Sequence, residues 1–394
     1  MKKWVLRLLF LILLVVAGGY IYMYFTGRYY YFDAKKYIYD NFLAKEPEEI
    51  KLSDSSDSNI TVTPVLDIRI DKKKNMIFCS TVQMAWNELT KINEKIIEIS
   101  KPSEYVSKLN LLADQLPLLS EDAYLVMAGL ANYLTPQKIK EALKSKFGKV
   151  LPASELDISL NEIKQGDIYS FSFLFKNLIF KKEFKKIDRH LFKFNGKKSY
   201  VKAFGFSPGS SEKEEMIKQC DVYYDKKNSS ISNNFFVIKM KTKSDSDEIV
   251  ISNFNPEETL EKTYKSINDF INNPENKGLI RNDSYLRIPK VHFNILINYN
   301  NMCGEIKTGK YKKYLIGNAI QKIKFNLNEK GAYLLSYALI TYCVGELEKF
   351  IIDRPFFIYL KDKEKNAPYF MTYIADDTLL VKSDEQGESN NEDR

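Results

Sequence analysis

Only two histidines, His190 and His292, occur in 394 residues, which leaves little material for a histidine-based metal site. Both read as ordinary, partly buried side chains. The four cysteines, Cys79, Cys220, Cys303 and Cys343, are far apart and form no CxxC pair. Two disulfides in any of three connectivities and four free buried thiols fit that spacing equally well. No Gly-rich phosphate loop, HExxH or EF-hand loop is present. Gly205-Phe206-Ser207-Pro208-Gly209 matches the G-x-S-x-G of a nucleophile elbow, but Pro208 has no N–H to donate to an oxyanion. The stretch reads as a turn, followed by a capping box, Ser211-Glu212-Lys213-Glu214, that opens a short helix. No carboxylate pairing stands out, so the sequence points to no enzyme, cofactor or metal. A basic stripe is missing too. Four of the eight excess positive charges, Lys2, Lys3, Arg7 and Arg28, sit in an acid-free amino-terminal segment. The mild remainder argues against nucleic acid as a partner.

What the chain does have is 44% hydrophobic and 13% aromatic residues, enough to bury a large core. Leu8 to Phe25 is uncharged and long enough to cross a membrane as a helix, and Lys2, Lys3 and Arg7 precede it. The positive-inside rule places that end in the cytoplasm. The apolar run passes well beyond Val15-Val16-Ala17, so an uncleaved anchor is expected, not a signal peptide. The chain divides accordingly. Residues 1–28 form the cytoplasmic end and anchor, and 29–59 a helix (Asp33–Leu43) with an acidic, Ser-rich linker. A folded domain covers 60–382, and 383–394 is an acidic, disordered tail. Such a protein is single-pass, with its main domain at the cell surface, in a periplasm or in a lumen.

Within the domain, Ile60 to Ile70 alternates as a strand whose Pro64 suits an edge. Met84 to Ile99 carries a one-sided apolar stripe and predicts a helix. Thr135-Pro136 reads as a helix start, with the hydroxyl as N-cap and proline in the first turn. Pro256 to Asn272 has Leu260, Tyr264, Ile267 and Ile271 at helical spacing. The most apolar stretch is Glu329 to Leu360. A charged turn, Asn328-Glu329-Lys330-Gly331, leads into thirteen uncharged residues, Ala332 to Val344. After Gly345-Glu346 comes a Pro-marked run, Arg354 to Leu360.

NEKGA, then FIIDRPFFIYLKD and PYFMTYI, resemble the carboxy-terminal part of a serpin. In that family an acidic, Gly-containing turn precedes a reactive loop that presents a scissile bond and then inserts as a strand into the main sheet. Other segments extend the likeness from about Asn75 to Leu380. NMIFCSTVQMAWNEL resembles a short strand entering a buried helix, and Ala123 to Phe147 a strand followed by an amphipathic helix. Phe171 to Phe184 resembles a long central strand ending in FKGxW, with Phe180 and Lys181 matching. Phe192 to Phe204, Phe235 to Lys241 and Ile249 to Asn253 fit further strands, and Tyr285 to Lys290 the (I/L)PK strand. Between Lys149 and Ser170 a helix usual in the family is truncated or absent. The Ser-Pro-x-Ser pattern of the sheet-opening region falls on Cys79, Ser80 and Val82, none of which matches. The resemblance implies an α+β fold with one large, mostly antiparallel sheet, smaller sheets and surrounding helices. It also implies a loop hinge at Glu329, Lys330, Gly331 and Ala332 and a candidate scissile bond at Gly345-Glu346.

The loop itself departs from an inhibitor's. An inhibitory loop is small and mobile, whereas Tyr333, Leu334, Leu335, Tyr337 and Leu339 are bulky and apolar on both faces of an extended chain. Such a run suits a central strand covered on both sides. The expectation is therefore a strand already inside the main sheet, in a membrane-anchored, non-inhibitory protein with a binding or structural role. Its partner would be a protease or another envelope protein. The alternatives are a suicide inhibitor of a serine or cysteine protease using residues 331–349, and an unrelated α+β envelope protein.

Overall fold

The computed structural model describes residues 48–53, 59–113, 119–151, 156, 160, 163–209, 212–225, 235–333 and 349–383. The anchor segment, the Asp33–Leu43 helix, nearly all of the acidic tail, Cys343 and Gly345-Glu346 lie outside them. Among the described residues no helix is long and apolar enough to cross a membrane.

A seven-stranded sheet runs β2 (Ile60–Thr63), β3 (Asn75–Cys79), β20 (Phe370–Ile374), β19 (Phe356–Asp362), β11 (Asp247–Ser252), β10 (Phe236–Lys241), β9 (Cys220–Tyr224). Only its β2–β3 pair is parallel. The strand β2, just before Pro64, takes the edge. Both faces of β19 are buried, because Phe356, Ile358 and Leu360 enter one apolar cluster while Phe357 and Tyr359 enter another. That explains why DRPFFIYL lacks polar alternation. The second cluster is closed by α5 (Leu260–Asn272), the last of five helices among the described residues, through Leu260, Tyr264 and Ile267. Thr259 caps this helix by accepting from the Lys262 N–H at 3.2 Å.

A five-stranded sheet runs β1 (Glu49–Ser53), β13 (Val291–Asn298), β16 (Ile320–Asn328), β17 (Gly331–Tyr333), β6 (Asn177–Ile179). A four-stranded sheet runs β18 (Lys349–Ile351), β12 (Tyr285–Pro289), β8 (Lys197–Phe206), β7 (Lys185–Phe194). Two small pairs complete the strands: β4 (Tyr124–Leu130) with β5 (Ile168–Leu174), and β14 (Gly304–Glu305) with β15 (Leu315–Ile316). The remaining helices are α1 (Thr81–Asn93), α2 (Glu104–Leu111), α3 (Thr135–Phe147) and α4 (Lys213–Lys218). The α+β class, the strands at Tyr285–Lys290 and Phe356–Leu360, and the helix before Asn272 appear where the sequence placed them.

Several details differ. The linker reading of 29–59 includes a strand, since β1 pairs in parallel with β13 along five residues. Leu52 is buried there and Glu49 meets Lys322. The helix α1 stops at Asn93, six residues before Ile99, because Glu94 turns left-handed at φ 61° and leaves Ile96 outside. Thr135 is not an N-cap. The helix α3 begins at Thr135 itself, and its hydroxyl accepts from the Asn132 N–H at 2.9 Å. At α4 the cap position is Glu212, with no side-chain cap bond, and its carboxylate instead pairs with Lys182 at 2.8 Å.

The predicted single strand Phe171–Phe184 is broken into β5 and β6, in different sheets. The break has a polar cause. Phe175 donates its N–H to Ala123 O at 2.9 Å, and the buried Lys176 ammonium reaches the buried Asp247 carboxylate at 2.9 Å. Asp247 also accepts from Tyr369, Ser244 and Ser246, so each of its oxygens is occupied. The Gly205 stretch ends a strand: Gly205 belongs to β8, and a Cβ there would fall 1.7 Å from Leu286 O of β12. Cys79, Cys220 and Cys303 are free thiols, and burial pushes the first two up, away from thiolate reactivity.

Candidate functional site

The turn between β16 and β17 carries Glu329 and Lys330, and Gly331 and Ala332 open β17; these are the four residues expected as a loop hinge. Asn328 closes it by accepting the Lys330 N–H at 2.8 Å. The two carbonyls inside the turn are taken by the segment that follows β6: Phe180 N–H donates to Lys330 O and Phe184 N–H to Glu329 O, both at 2.8 Å. Phe180 and Phe184 stack edge to face 4.9 Å apart, with Phe204 and Phe206 behind Phe184. The altered FKGxW segment thus still supplies two aromatic rings and two backbone donors to the hinge.

Glu329 is fully buried. Its carboxylate lies 2.9 Å from Lys290 Nζ, itself only 1% exposed, and 3.9 Å from Lys186 Nζ. Burial pushes the Lys290 ammonium down to about 8, with Glu329 pulling the other way. Burial also pushes the Glu329 carboxyl up, against its two lysines. The pair joins the hinge turn to the junction of β12 and β13, where Lys290 N–H donates to Lys202 O at 2.9 Å. Removing either partner would strand a charge without solvent.

Gly331 then enters the ladder. Its Cβ, if present, would sit 2.2 Å from Leu178 O, so the close approach of β6 excludes any side chain. Gly331, Ala332 and Tyr333 pair with Asn328, Leu327 and Asn326 of β16 on one side, and with Ile179, Leu178 and Asn177 of β6 on the other. Ala332 is buried. The expected strand at Ala332–Val344 is therefore present for its first residues, and 334–348 lie outside the described residues, the candidate bond Gly345-Glu346 among them.

The chain returns at β18, which pairs in parallel with β12. His190 Nε2 lies 2.8 Å from Ile352 O, and Ile352 N–H donates to Arg287 O at 3.0 Å. Burial brings the His190 imidazole down to about 4, which keeps it neutral at pH 7. Asp353 pairs with Lys193 at 2.9 Å. No motif marks His190 or Lys186 as a tether, and Lys290 is legible only as the end of a strand motif. Three segments far apart in the chain meet at Glu329, and only folding brings them together.

Near the unmatched Ser-Pro-x-Ser positions, Gln321 of β16 bridges the sheet to the start of α1. Its Nε2 donates to Cys79 O at 3.1 Å and Thr81 Oγ1 at 2.8 Å, while Tyr299 donates to its Oε1 at 2.7 Å. Among the described residues no group of His, Cys, Asp and Glu could hold a metal ion. The arrangement at the hinge positions and locks strands; it holds no nucleophile beside a base.

No protein-family model and no curated protein sequence matches the chain. Solved structures similar to it include tengpin, a thermophilic serpin in its native state, with 13% identity and a TM-score of 0.48 over 78% of this chain and 90% of that one. Serpin48 of the insect Tenebrio molitor is similar at 12% identity and a TM-score of 0.42, over 75% and 96%. Thyroxine-binding globulin in complex with thyroxine is similar at 14% identity and a TM-score of 0.46, over 77% and 93%. The likeness is one of fold and extends over about three quarters of this chain.

Proposed function

We propose that this chain is a membrane-anchored, serpin-like protein whose folded domain lies outside the cytoplasm and whose loop does not trap proteases. It acts by binding or as a structural element, with an envelope protein or a protease as its partner. The observation that carries the reading is β17, hydrogen-bonded on both edges before any cleavage. The bulky apolar residues that the sequence has after Tyr333 suit a buried strand better than an exposed bait. A trap needs the reverse order, with insertion held back until a bond is cut. A strand in place from the start leaves little energy to release. The Gln321 bridges to Cys79 and Thr81 favour the same reading, since they restrain β16 against the sliding that opens a sheet. The anchor part rests on the uncharged Leu8–Phe25 run behind Lys2, Lys3 and Arg7.

The test is a protease challenge of the full chain. Serine and cysteine proteases should yield no SDS-stable complex, cleavage near Gly345 should need high doses, and the cut protein should melt where the intact one does. A covalent complex, or a large rise in melting temperature after the cut, would establish the suicide inhibitor instead. A mature chain beginning at Gly18 would remove the anchor.

A further inference from the structure

The end of the molecule opposite the hinge presents lysines and apolar side chains together. Between Gly304 and Ile316 the β14–β15 hairpin has four lysines and one glutamate. It is held rigidly against the end of α1. Lys307 and Lys310 donate their N–H groups to Glu98 O and Asn93 O at 2.8 and 3.0 Å, and the Thr308 hydroxyl donates to Ile96 O at 2.6 Å. Two lysines are neutralised locally, Lys307 by Glu305 at 2.9 Å and Lys310 by Glu94 at 2.8 Å. Lys312, Lys313 and Lys95 have no carboxylate within ion-pair distance among the described residues. Beside them Leu315 is 70% exposed, Ile96 53% and Tyr314 41%. Lysines beside exposed aliphatic and aromatic side chains match an interfacial lipid surface, where apolar tips enter the headgroup layer and ammonium groups meet anionic phosphates. A nucleic acid would satisfy the lysines but leave Leu315 and Ile96 exposed.

The strand β1 lies beside Asn294–Asn298, the half of β13 nearer this hairpin. It runs toward the hairpin, so the chain enters β1 at Glu49, beside Asn294 in the middle of the ladder. The 23 residues between Phe25 and Glu49 reach roughly 75 Å when extended, so the tether alone fixes no orientation.

We propose that the β14–β15 end docks on an anionic phospholipid surface and turns the hinge away from it. Eight ladder pairs, Asn298 with Ile320 through to Val291 with Leu327, separate the two ends by roughly 23 Å. The docking rests on the membrane-anchored reading above, and it names what the domain does once tethered.

The test reconstitutes the full chain in vesicles of phosphatidylcholine alone and of phosphatidylcholine mixed with phosphatidylglycerol. A membrane-impermeant amine acylating reagent then reports on Lys312 and Lys313 by mass spectrometry. Acylation several-fold slower in the anionic vesicles, recovering with added salt and weakened by Leu315→Ser, is the expected result. Equal acylation in both vesicles overturns the docking. Protection by soluble polyphosphate with neutral vesicles, but none from phosphatidylglycerol, overturns it in favour of a polyanion. Alkaline carbonate extraction of the chain would sink the anchor reading separately, because the acylation contrast with excess vesicles still decides the docking.

Discussion

The two ends of the β13–β16 ladder are built from the same residue types and behave oppositely. At Asn328–Gly331 a glutamate and a lysine are buried 2.9 Å apart, enclosed by β6, β12 and two phenylalanines. At Gly304–Ile316 glutamates and lysines also pair at 2.8–2.9 Å, but on the surface, beside lysines with no carboxylate in ion-pair distance among the described residues. A buried pair constrains structure because neither partner can be lost without stranding the other. An exposed pair contributes little to stability and leaves the chain free to meet something else. The hinge end is therefore where substitution should unfold the protein, and the hairpin end where it should change only what the protein touches.

The strongest way to break that contrast is at Glu329. Glu329→Gln should destabilise the fold by about 3–5 kcal/mol, because Lys290 is then buried without a counter-charge. Urea unfolding would register it as a lower midpoint, and adding Lys290→Met should recover most of the loss. If Glu329→Gln unfolds like the parent, the buried pair is not what locks the hinge.

Next in size is a pH effect at the other tether. In the unfolded chain His190 takes up a proton as the pH falls through about 6.5, whereas in the folded chain it does so only near 4. The unfolded state binds more protons in between, so stability should drop by about 3 kcal/mol from pH 7 to pH 4. Unfolding midpoints across that window, compared with His190→Gln, would isolate this share of acid sensitivity.

A smaller loss is expected for Gly331→Ala. A methyl group 2.2 Å from Leu178 O must push β17 away from β6, at about 1–3 kcal/mol. Hydrogen exchange should show the Ala332 and Tyr333 amides losing protection while β13 keeps its own. Loss of protection throughout the sheet would mean that β17 is not a separable element. The smallest effect belongs to the hairpin: Lys312→Ala with Lys313→Ala should leave thermal stability within about 0.5 kcal/mol of the parent.

Much of this was legible in the sequence where a local rule governs. The strand at Phe356–Leu360 announced itself through an unbroken apolar run, and α5 through Leu260, Tyr264 and Ile267 at helical spacing. The turn between β16 and β17 could be read from Glu329-Lys330-Gly331 because a turn needs its own residues. Three failures share one cause. The break at Phe175–Lys176 depends on Asp247, about seventy residues away, and the strand β1 depends on an open edge of β13. The early end of α1 depends on the hairpin at Thr308 and Lys310 binding the turn that follows Asn93.

By itself the sequence determined the apolar amino-terminal run, the α+β order of elements, the hinge turn and the bulk of the residues that follow it. These are properties of neighbours along the chain, set by period, side-chain size and backbone restriction. Only the tertiary structure decided that Glu329 faces Lys290 and Lys186, that His190 holds Ile352, and that Gly331 to Tyr333 pair on both edges. Burial turned an ordinary glutamate and lysine into a lock, and burial is fixed by segments that meet in space after travelling far apart in sequence.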